Sequence, residues 1–348
     1  MKKLLITFVL CCFIGSSFAD SINNVSNQIQ PLANKHTKAT KHSKTKQKTP
    51  HKKIKHHKKI TKRTVKTPTV DTSLEPFVSP KVAASSEIPK DYIDETSVRR
   101  QPRLYSYAAI ALNANTGKII VSKNPNAQLP IASITKLMTA IVVLDSGVDL
   151  NDYVTITNAD IDTLRNTYSR LKVGMQFKRK DLLLLALMSS ENRAAHALGR
   201  TTFNGGINAF TKKMNLKAKS LKMNSTQYYD PTGLTNMNTS TALDLSKLIQ
   251  AAYSYDEIRH DTTTKNADVM FGPRYTHRYI NSDALVRANK LQIQLSKTGF
   301  INEAGHCLAL YSIVDNKPIV MVFLNSAGKS GRLIDAMTIK NYIGKDNS

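Results

Sequence analysis

The sequence predicts an α/β fold, more narrowly an α+β domain, over residues 99–348: an antiparallel sheet flanked by helices, with a helical subdomain. Strand-like alternation occurs at both ends of this region, whereas the residues between have helical patterns. The closing strands, LALYSIV and PIVMVFLN, are separated only by Asp315-Asn316-Lys317, and so short a link joins antiparallel neighbours. The last segment, RLIDAMTIKNYI, has apolar residues at helical spacing, so we expect it to pack across the sheet.

Two strands open the domain and a helix follows them. AAIALNANTGKIIVSKN predicts strands joined around Asn115-Thr116-Gly117, a turn sequence flanked by β-branched residues. PIASITKLMTAIVVLDSG predicts a helix that starts between Pro130 and Ser133 and stops at Gly147.

The middle of the domain is predicted to be helical. RKDLLLLALMSSENRAAHALGR indicates a helix through Leu187, a break at Ser189 to Asn192, and a second helix from Arg193 to Leu198. Further helices are predicted over 207–219 and 240–253, and LQIQLSKTG alternates as a strand does.

Residues 1–19 predict a secretory signal peptide. MKKLLITFVLCCFIGSSFAD has a basic start, an apolar run and small residues before a cleavage site near Ala19. The apolar run is shorter than the roughly 20 residues of a spanning helix, so we expect an exported, periplasmic protein. Cys11 and Cys12 leave with the signal, which leaves Cys307 without an intramolecular disulfide partner.

Residues 20–98 predict a disordered linker rich in lysine and histidine. Residues 31–70 contain thirteen Lys, one Arg, five His and no acid, a composition that cannot form a core. Behind an export signal, we expect this basic tail to contact an anionic envelope surface or wall polymer rather than nucleic acid. We do not expect its histidines to form a functional metal site.

Four Ser-x-x-Lys patterns occur in the chain, where roughly one or two would arise by chance. They are Ser43/Lys46, Ser133/Lys136, Ser169/Lys172 and Ser326/Lys329. Only Ser133/Lys136 lies at the start of a strongly apolar helix, where residues i and i+3 share a face. Burial or a second cation would lower the lysine pKa from its ordinary value of about 10.4 and make the amine a base for the serine hydroxyl.

Two further clusters could complete an active site. LSKTGF supplies a second cation in Lys297, the hydroxyl of Thr298, and Gly299, which lets a ligand approach the backbone closely. In the predicted break between helices, Ser190-Glu191-Asn192 offers a hydroxyl and a carboxamide that could pass a proton and hold an amide substrate.

Ser-x-x-Lys, then Ser-x-Asn, then Lys-Thr-Gly, in that order, resembles the active-site set of penicillin-binding proteins and serine β-lactamases. The resemblance extends over essentially all of residues 104–348, through NANTGKIIVSKNPNAQLPIASITKLMTA, LKVGMQFKRKDLLLLALMSSENRAAHAL, YYDPTGLTNMNTSTALDLSKL and QLSKTGFINEAGHCLAL. These stretches are similar to low-molecular-mass D-alanyl-D-alanine peptidases. LMSSENRAA and TGFINEAGHC are most similar to the endopeptidase type, the penicillin-binding protein 7 type.

This resemblance implies a β-lactamase/transpeptidase-like fold and a role for each motif residue. Ser133 would be the acylated nucleophile and Lys136 its base, while Ser190 would assist proton transfer to the leaving amine. The substrate would be bound by Asn192, Lys297, Thr298, Gly299 and Phe300, and the backbone N–H groups of Ser133 and Phe300 would form the oxyanion hole. No metal or cofactor is implied. Peptidoglycan would be the substrate and β-lactam antibiotics covalent inhibitors.

The motifs leave three other activities to distinguish. A carboxypeptidase is the main alternative; many such relatives add a second β domain and a C-terminal anchor, for which we expect no room here. A serine β-lactamase of the common class would need a Glu-x-x-Leu-Asn segment between Asn192 and Lys297, and the sequence contains none. A non-catalytic wall-binding protein is disfavoured because all three motifs are intact. The sequence makes no prediction of oligomeric state.

Three neighbouring groups are not expected to carry out chemistry. We expect Glu191 to cap the following helix and His196 to be a packed core histidine. His306 and Cys307 are adjacent in a predicted strand, so their side chains should point to opposite faces rather than form a nucleophilic pair.

Overall fold

A computed structural model describes residues 101–271 and 275–344. The predicted signal peptide (1–19), the linker (20–98) and the Ser43/Lys46 pair lie outside the described residues. The strands are β1 Ser106–Asn113, β2 Ile119–Lys123, β3 Leu129–Pro130, β4 Tyr153–Thr155, β5 Gln176–Lys178, β6 Thr239–Ser240, β7 Asn266–Met270, β8 Thr276–Ile280, β9 Gln292–Ile301, β10 Gly305–Val314 and β11 Lys317–Ser326. The helices are α1 Thr135–Asp145, α2 Arg179–Met188, α3 Asn192–Thr202, α4 Gly206–Ser220, α5 Ala242–Tyr253, α6 Asp256–Thr263, α7 Ala284–Ala288 and α8 Gly328–Gly344. None of the described helices is long and apolar enough to cross a membrane.

The main sheet has five strands in the order β2-β1-β11-β10-β9, and every neighbouring pair is antiparallel. The tight β10–β11 hairpin predicted around Asp315 to Lys317 is confirmed, with Val314 paired to Lys317. β9 lies at one edge of this sheet, so its outer side is not covered by another strand of the sheet. That exposed edge carries the Lys-Thr-Gly motif.

Alternating side chains divide the apolar core between the two faces of the sheet. Ala108 and Ile110 of β1 belong to the core beneath the helical subdomain, whereas Ala109 and Ala111 belong to the core beneath α8. The predicted packing of the terminal helix across the sheet is therefore confirmed.

A buried carboxylate joins α8 to the start of β1. Asp335, fully buried, accepts hydrogen bonds from the Tyr105 and Ser106 N–H groups (2.8 Å each) and from the Ser106 hydroxyl (2.5 Å). These contacts hold the last helix of the domain, α8, against its first strand, β1.

The structure moves several predicted boundaries. Pro130 ends the short strand β3, and a 3-10 turn at Ala132–Ile134 precedes α1, so the α-helix proper starts only at Thr135. The break between α2 and α3 is confirmed, but α3 continues past Leu198 to Thr202. Helices α6 and α7 and the β7–β8 hairpin were not predicted, because they are short and their periodicity is weak.

Candidate active site

Ser133 and Lys136 are in direct contact. Ser133 lies in the 3-10 turn and Lys136 in the first turn of α1, and Lys136 Nζ is 2.7 Å from Ser133 Oγ. The competing pattern Ser169/Lys172 makes no such contact: the Ser169 hydroxyl accepts from Leu171 N–H, and Lys172 lies over the ring of Tyr168. The structure therefore pairs the serine and lysine for which the sequence context argued.

Burial makes Lys136 a base near neutral pH. Its side chain is 1% exposed, and desolvation lowers its pKa to about 7, against the opposing charges of Asp230 and Glu191. Lys136 Nζ also contacts Asn192 Oδ1 (2.8 Å) and the Thr232 carbonyl (2.7 Å), and both of those atoms can only accept. A neutral amine that donates its two N–H groups to them is left with a lone pair for the Ser133 hydroxyl.

The break between α2 and α3 places Asn192 against this amine and Ser190 against Lys297. Ser190 has a φ of +62°, a left-handed conformation that lets the chain leave α2 and start α3 within three residues. Glu191 accepts from Arg193 N–H at 3.2 Å, which confirms its predicted role as the cap of α3. Asn192 Nδ2 donates to the hydroxyl of Thr167 (3.1 Å), which orients its oxygen toward Lys136.

Lys297 and Thr298 face the same break from strand β9. Lys297 Nζ donates to Ser190 Oγ and to the Thr298 carbonyl, each at 2.9 Å. Burial and the charge of Lys136 lower the pKa of Lys297 well below its ordinary value. The Thr298 hydroxyl is 2.7 Å from that of Ser282. The second motif and the third motif are thus joined through one hydrogen bond between Lys297 and Ser190.

Gly299 brings strand β9 against the nucleophile. A Cβ atom at this position would lie 3.0 Å from Ser133 N and 3.1 Å from the Ile131 oxygen, so only glycine fits without displacing the backbone. Phe300 is 53% exposed and lines a groove of about 400 Å³ together with Ser133 and Asn192. An extended peptide could lie in this groove along the open edge of β9.

A loop that the sequence reasoning did not assign supplies the third partner of Lys136. Asp230 accepts from the Thr232 hydroxyl (2.7 Å) and from Gly233 N–H (2.6 Å), which closes the Asp-Pro-Thr-Gly turn and aims the Thr232 carbonyl at Lys136. Gly233 has a φ of +81° and lies against Ala132. The turn residues were a visible sequence signal, but their position beside the lysine was not.

Arg332 is a second group that sequence reasoning missed. It is 8% exposed, and its Nε and Nη1 atoms have no hydrogen-bond partner in the structure. It lines a cavity of about 360 Å³ together with Ser189 and Ser282, the partner of Thr298. A buried guanidinium with unused donors is suited to binding a carboxylate. No local pattern marks Arg332, because it lies within an ordinary helix, α8.

The structure contradicts the expectation for His196 and agrees with that for His306 and Cys307. The expected core packing of His196 is wrong: its Nδ1 is 2.8 Å from Asp160 Oδ1 and its side chain is 27% exposed. Cys307 is fully buried with its pKa raised to about 11, and His306 instead stacks on Phe300 with ring centroids 4.4 Å apart. Among the described residues, no group of three or more His, Cys, Asp or Glu side chains could hold a metal ion.

Comparisons with known proteins agree with this arrangement. The sequence profile described as D-alanyl-D-alanine carboxypeptidase matches residues 95–328. The chain is 44% identical over 244 residues to a D-alanyl-D-alanine endopeptidase of Pseudomonas aeruginosa and 43% identical to one of Escherichia coli K12, with 70% of this chain and 78% of each relative covered. The crystal structure of the Streptomyces K15 DD-transpeptidase is similar with a TM-score of 0.66 and 28% identity, covering 70% of this chain and 98% of that one.

Proposed function

This chain belongs to the D-alanyl-D-alanine carboxypeptidase family of serine peptidases, and we propose that it acts as an endopeptidase on D-alanine-containing cross-links of peptidoglycan. The relatives named endopeptidase support this assignment over the carboxypeptidase alternative. The observation that carries the serine-peptidase activity, common to both alternatives, is the contact between Lys136 Nζ and Ser133 Oγ, made by a buried amine whose pKa is lowered to about 7.

Acylation starts at this pair. The lone pair of Lys136 takes the hydroxyl proton as Ser133 Oγ attacks the D-alanine carbonyl carbon. The negative charge on the carbonyl oxygen is received by the backbone N–H groups of Ser133 and Phe300, which the close approach at Gly299 supports. One such donor typically contributes about 3 kcal/mol of transition-state stabilisation.

The leaving amine departs on the side of Ser190 and Lys297. Ser190 Oγ accepts a hydrogen bond from Lys297 Nζ and can relay a proton to the leaving amine as the scissile C–N bond breaks. Thr298 and Arg332 hold the carboxylate next to that bond, and Asn192 holds the substrate amide. Water then hydrolyses the Ser133 ester, with Lys136 again as the base.

The cellular setting of this activity is the envelope. We propose export through the signal at 1–19 with cleavage near Ala19, a catalytic domain over 99–348, and a linker whose basic residues 31–70 associate with anionic envelope surfaces. Binding to isolated cell walls that is insensitive to salt and unchanged by deleting 31–70 would contradict the role of the tail.

Covalent labelling with a fluorescent penicillin tests the nucleophile. We expect wild-type protein to be labelled and Ser133→Ala to lose all label. Ser326→Ala is the matched control, because Ser326 also belongs to a Ser-x-x-Lys pattern but its hydroxyl has no hydrogen-bond partner in the structure. Unlabelled wild-type protein would contradict the serine acylation mechanism.

Digestion of purified cross-linked muropeptides tests the endopeptidase assignment. We expect dimers to be converted to monomers. Release of terminal D-alanine alone, with dimers intact, would instead establish the carboxypeptidase. Rapid steady-state turnover of a chromogenic cephalosporin would favour the β-lactamase.

A further inference from the structure

The cavity beside Thr298 is lined by four cations. Arg170, Arg287, Lys329 and Arg332 surround a volume of about 360 Å³, and its lining contains no acidic residue. Arg170, Arg287 and Lys329 are exposed and Arg332 is buried, and cations gathered in this way attract anions into the cavity. The number of cations exceeds what a single carboxylate needs.

None of these four cations forms an ion pair with a carboxylate within residues 101–271 and 275–344. Arg332 is buried with two unused donor nitrogens, and Arg170 lies 5.2 Å over the ring of Tyr279, whose buried hydroxyl also has no partner in the structure. The charge of Asp283 acts on Arg332, but its two oxygens already accept from Leu285 N–H (2.8 Å) and the Ser296 hydroxyl (2.6 Å). Among the described residues, Asp283 therefore acts on Arg332 through its charge, and no acid forms an ion pair with any of the four cations.

The cavity adjoins the leaving-group side of the catalytic residues. Ser189, which lines it, precedes the proposed proton donor Ser190 in sequence. Ser282, also in the lining, is hydrogen-bonded to Thr298. The peptide released from Ser133 would therefore extend into this cavity, whereas the groove lined by Phe300 would hold the acyl portion.

We propose that this cavity recognises a leaving peptide with at least two carboxylates. Arg332 and Thr298 bind the carboxylate next to the scissile amide, and Arg170, Arg287 and Lys329 bind a second one further along the peptide. A terminal D-alanine leaves with one carboxylate, whereas the released strand of a cross-link leaves as an acidic peptide. This inference rests on the proposed function and names the feature that would select cross-links over terminal residues.

The test compares two substrates with two triple variants. Arg170→Gln, Arg287→Gln and Lys329→Gln are combined in the cavity variant. Its matched control combines Lys212→Gln, Lys213→Gln and Lys219→Gln, exposed lysines of α4 that remove the same charge elsewhere. The substrates are a cross-linked peptide and an uncross-linked peptide ending in D-Ala-D-Ala. We expect the kcat/KM for the cross-linked peptide, divided by that for the uncross-linked peptide, to fall about tenfold in the cavity variant. In the control variant this ratio should stay as in wild type.

A second measurement needs no variant. The leaving peptide is synthesised with its second carboxylate replaced by a carboxamide, and wild-type kcat/KM should fall about tenfold and become less sensitive to salt. Equal cleavage of the carboxylate and carboxamide peptides, or an unchanged substrate ratio in the cavity variant, would overturn the inference. Failure of the proposed function is distinct, since wild-type protein would then leave the cross-linked peptide intact, whether or not it takes up penicillin or removes terminal D-alanine.

Discussion

The rate at which penicillin acylates Ser133 should depend on pH with a midpoint near 7. The attack requires Lys136 as a neutral amine, and burial lowers its pKa to about 7 from 10.5. A base with that pKa is neutral in about nine tenths of the molecules at pH 8 and in about one tenth at pH 6. Acylation should therefore slow roughly tenfold between pH 8 and pH 6 and level off above pH 8.

The direction of the pH dependence follows from the neutral amine being the active form of Lys136. Activity is present above the Lys136 pKa and is lost as the pH falls through it. The negative charges of Asp230 and Glu191 raise this pKa against the effect of burial. Glu191→Gln removes one of them while keeping a side-chain oxygen to cap α3, so its midpoint should shift to lower pH.

Stopped-flow mixing with a fluorescent penicillin from pH 5.5 to 9.5 measures this profile. Burial and the charge of Lys136 also lower the pKa of Lys297, but loss of the Lys297 charge on deprotonation would slow acylation and cannot produce a rate that rises with pH. Lys136→Arg keeps a permanent charge, so its acylation by penicillin should be slower by about a thousandfold and should not rise with pH around 7. A wild-type rate that keeps rising tenfold per pH unit to 9.5 would refute a lowered lysine pKa as the source of catalysis.

Three further predictions concern the framework around the site. Gly233→Ala should lower the free energy of unfolding by about 2 kcal/mol more than Gly117→Ala. Both glycines have positive φ (+81° and +72°), but only at Gly233 would the Cβ meet an atom, the Ala132 oxygen at 1.9 Å. Equal losses of stability in urea denaturation would contradict this. Asp335→Ala should cost about 3 kcal/mol by leaving the Tyr105 N–H group and the buried N–H and hydroxyl groups of Ser106 without their acceptor, and a loss below about 1 kcal/mol would argue against that role. Native Cys307 should not react with a thiol reagent, since it is fully buried with its pKa raised to about 11; rapid modification of the folded protein would show that the strand opens.

Acylation of Ser133 and selection of the leaving peptide have different physical origins. Acylation depends on desolvation of Lys136, a property of the packed interior of the domain. Selection of the leaving peptide depends on cations at the surface of a cavity, where salt screens their charge. Mutations in the cavity should therefore change substrate preference more than the intrinsic reactivity of Ser133.

Local sequence determined the closing strands, the longer helices and the motif residues. The alternating patterns of β9, β10 and β11 and the short link at Asp315 to Lys317 were sufficient to predict an antiparallel sheet, because side-chain periodicity and loop length are properties of neighbouring residues. The order of the three motifs singled out Ser133 among four Ser-x-x-Lys matches. Even the break that presents Ser190 was visible, since a run of polar residues interrupts two helical patterns.

Only the tertiary structure decided what surrounds those residues. The Thr232 carbonyl that holds Lys136 is 96 positions away in sequence. Arg332 lies on a different helix from every motif, and the unpaired cations around it come from a loop, α7 and α8. Desolvation and charge depend on three-dimensional proximity rather than on neighbours in the chain, so the lysine pKa and the cationic cavity could not be predicted before the fold was known.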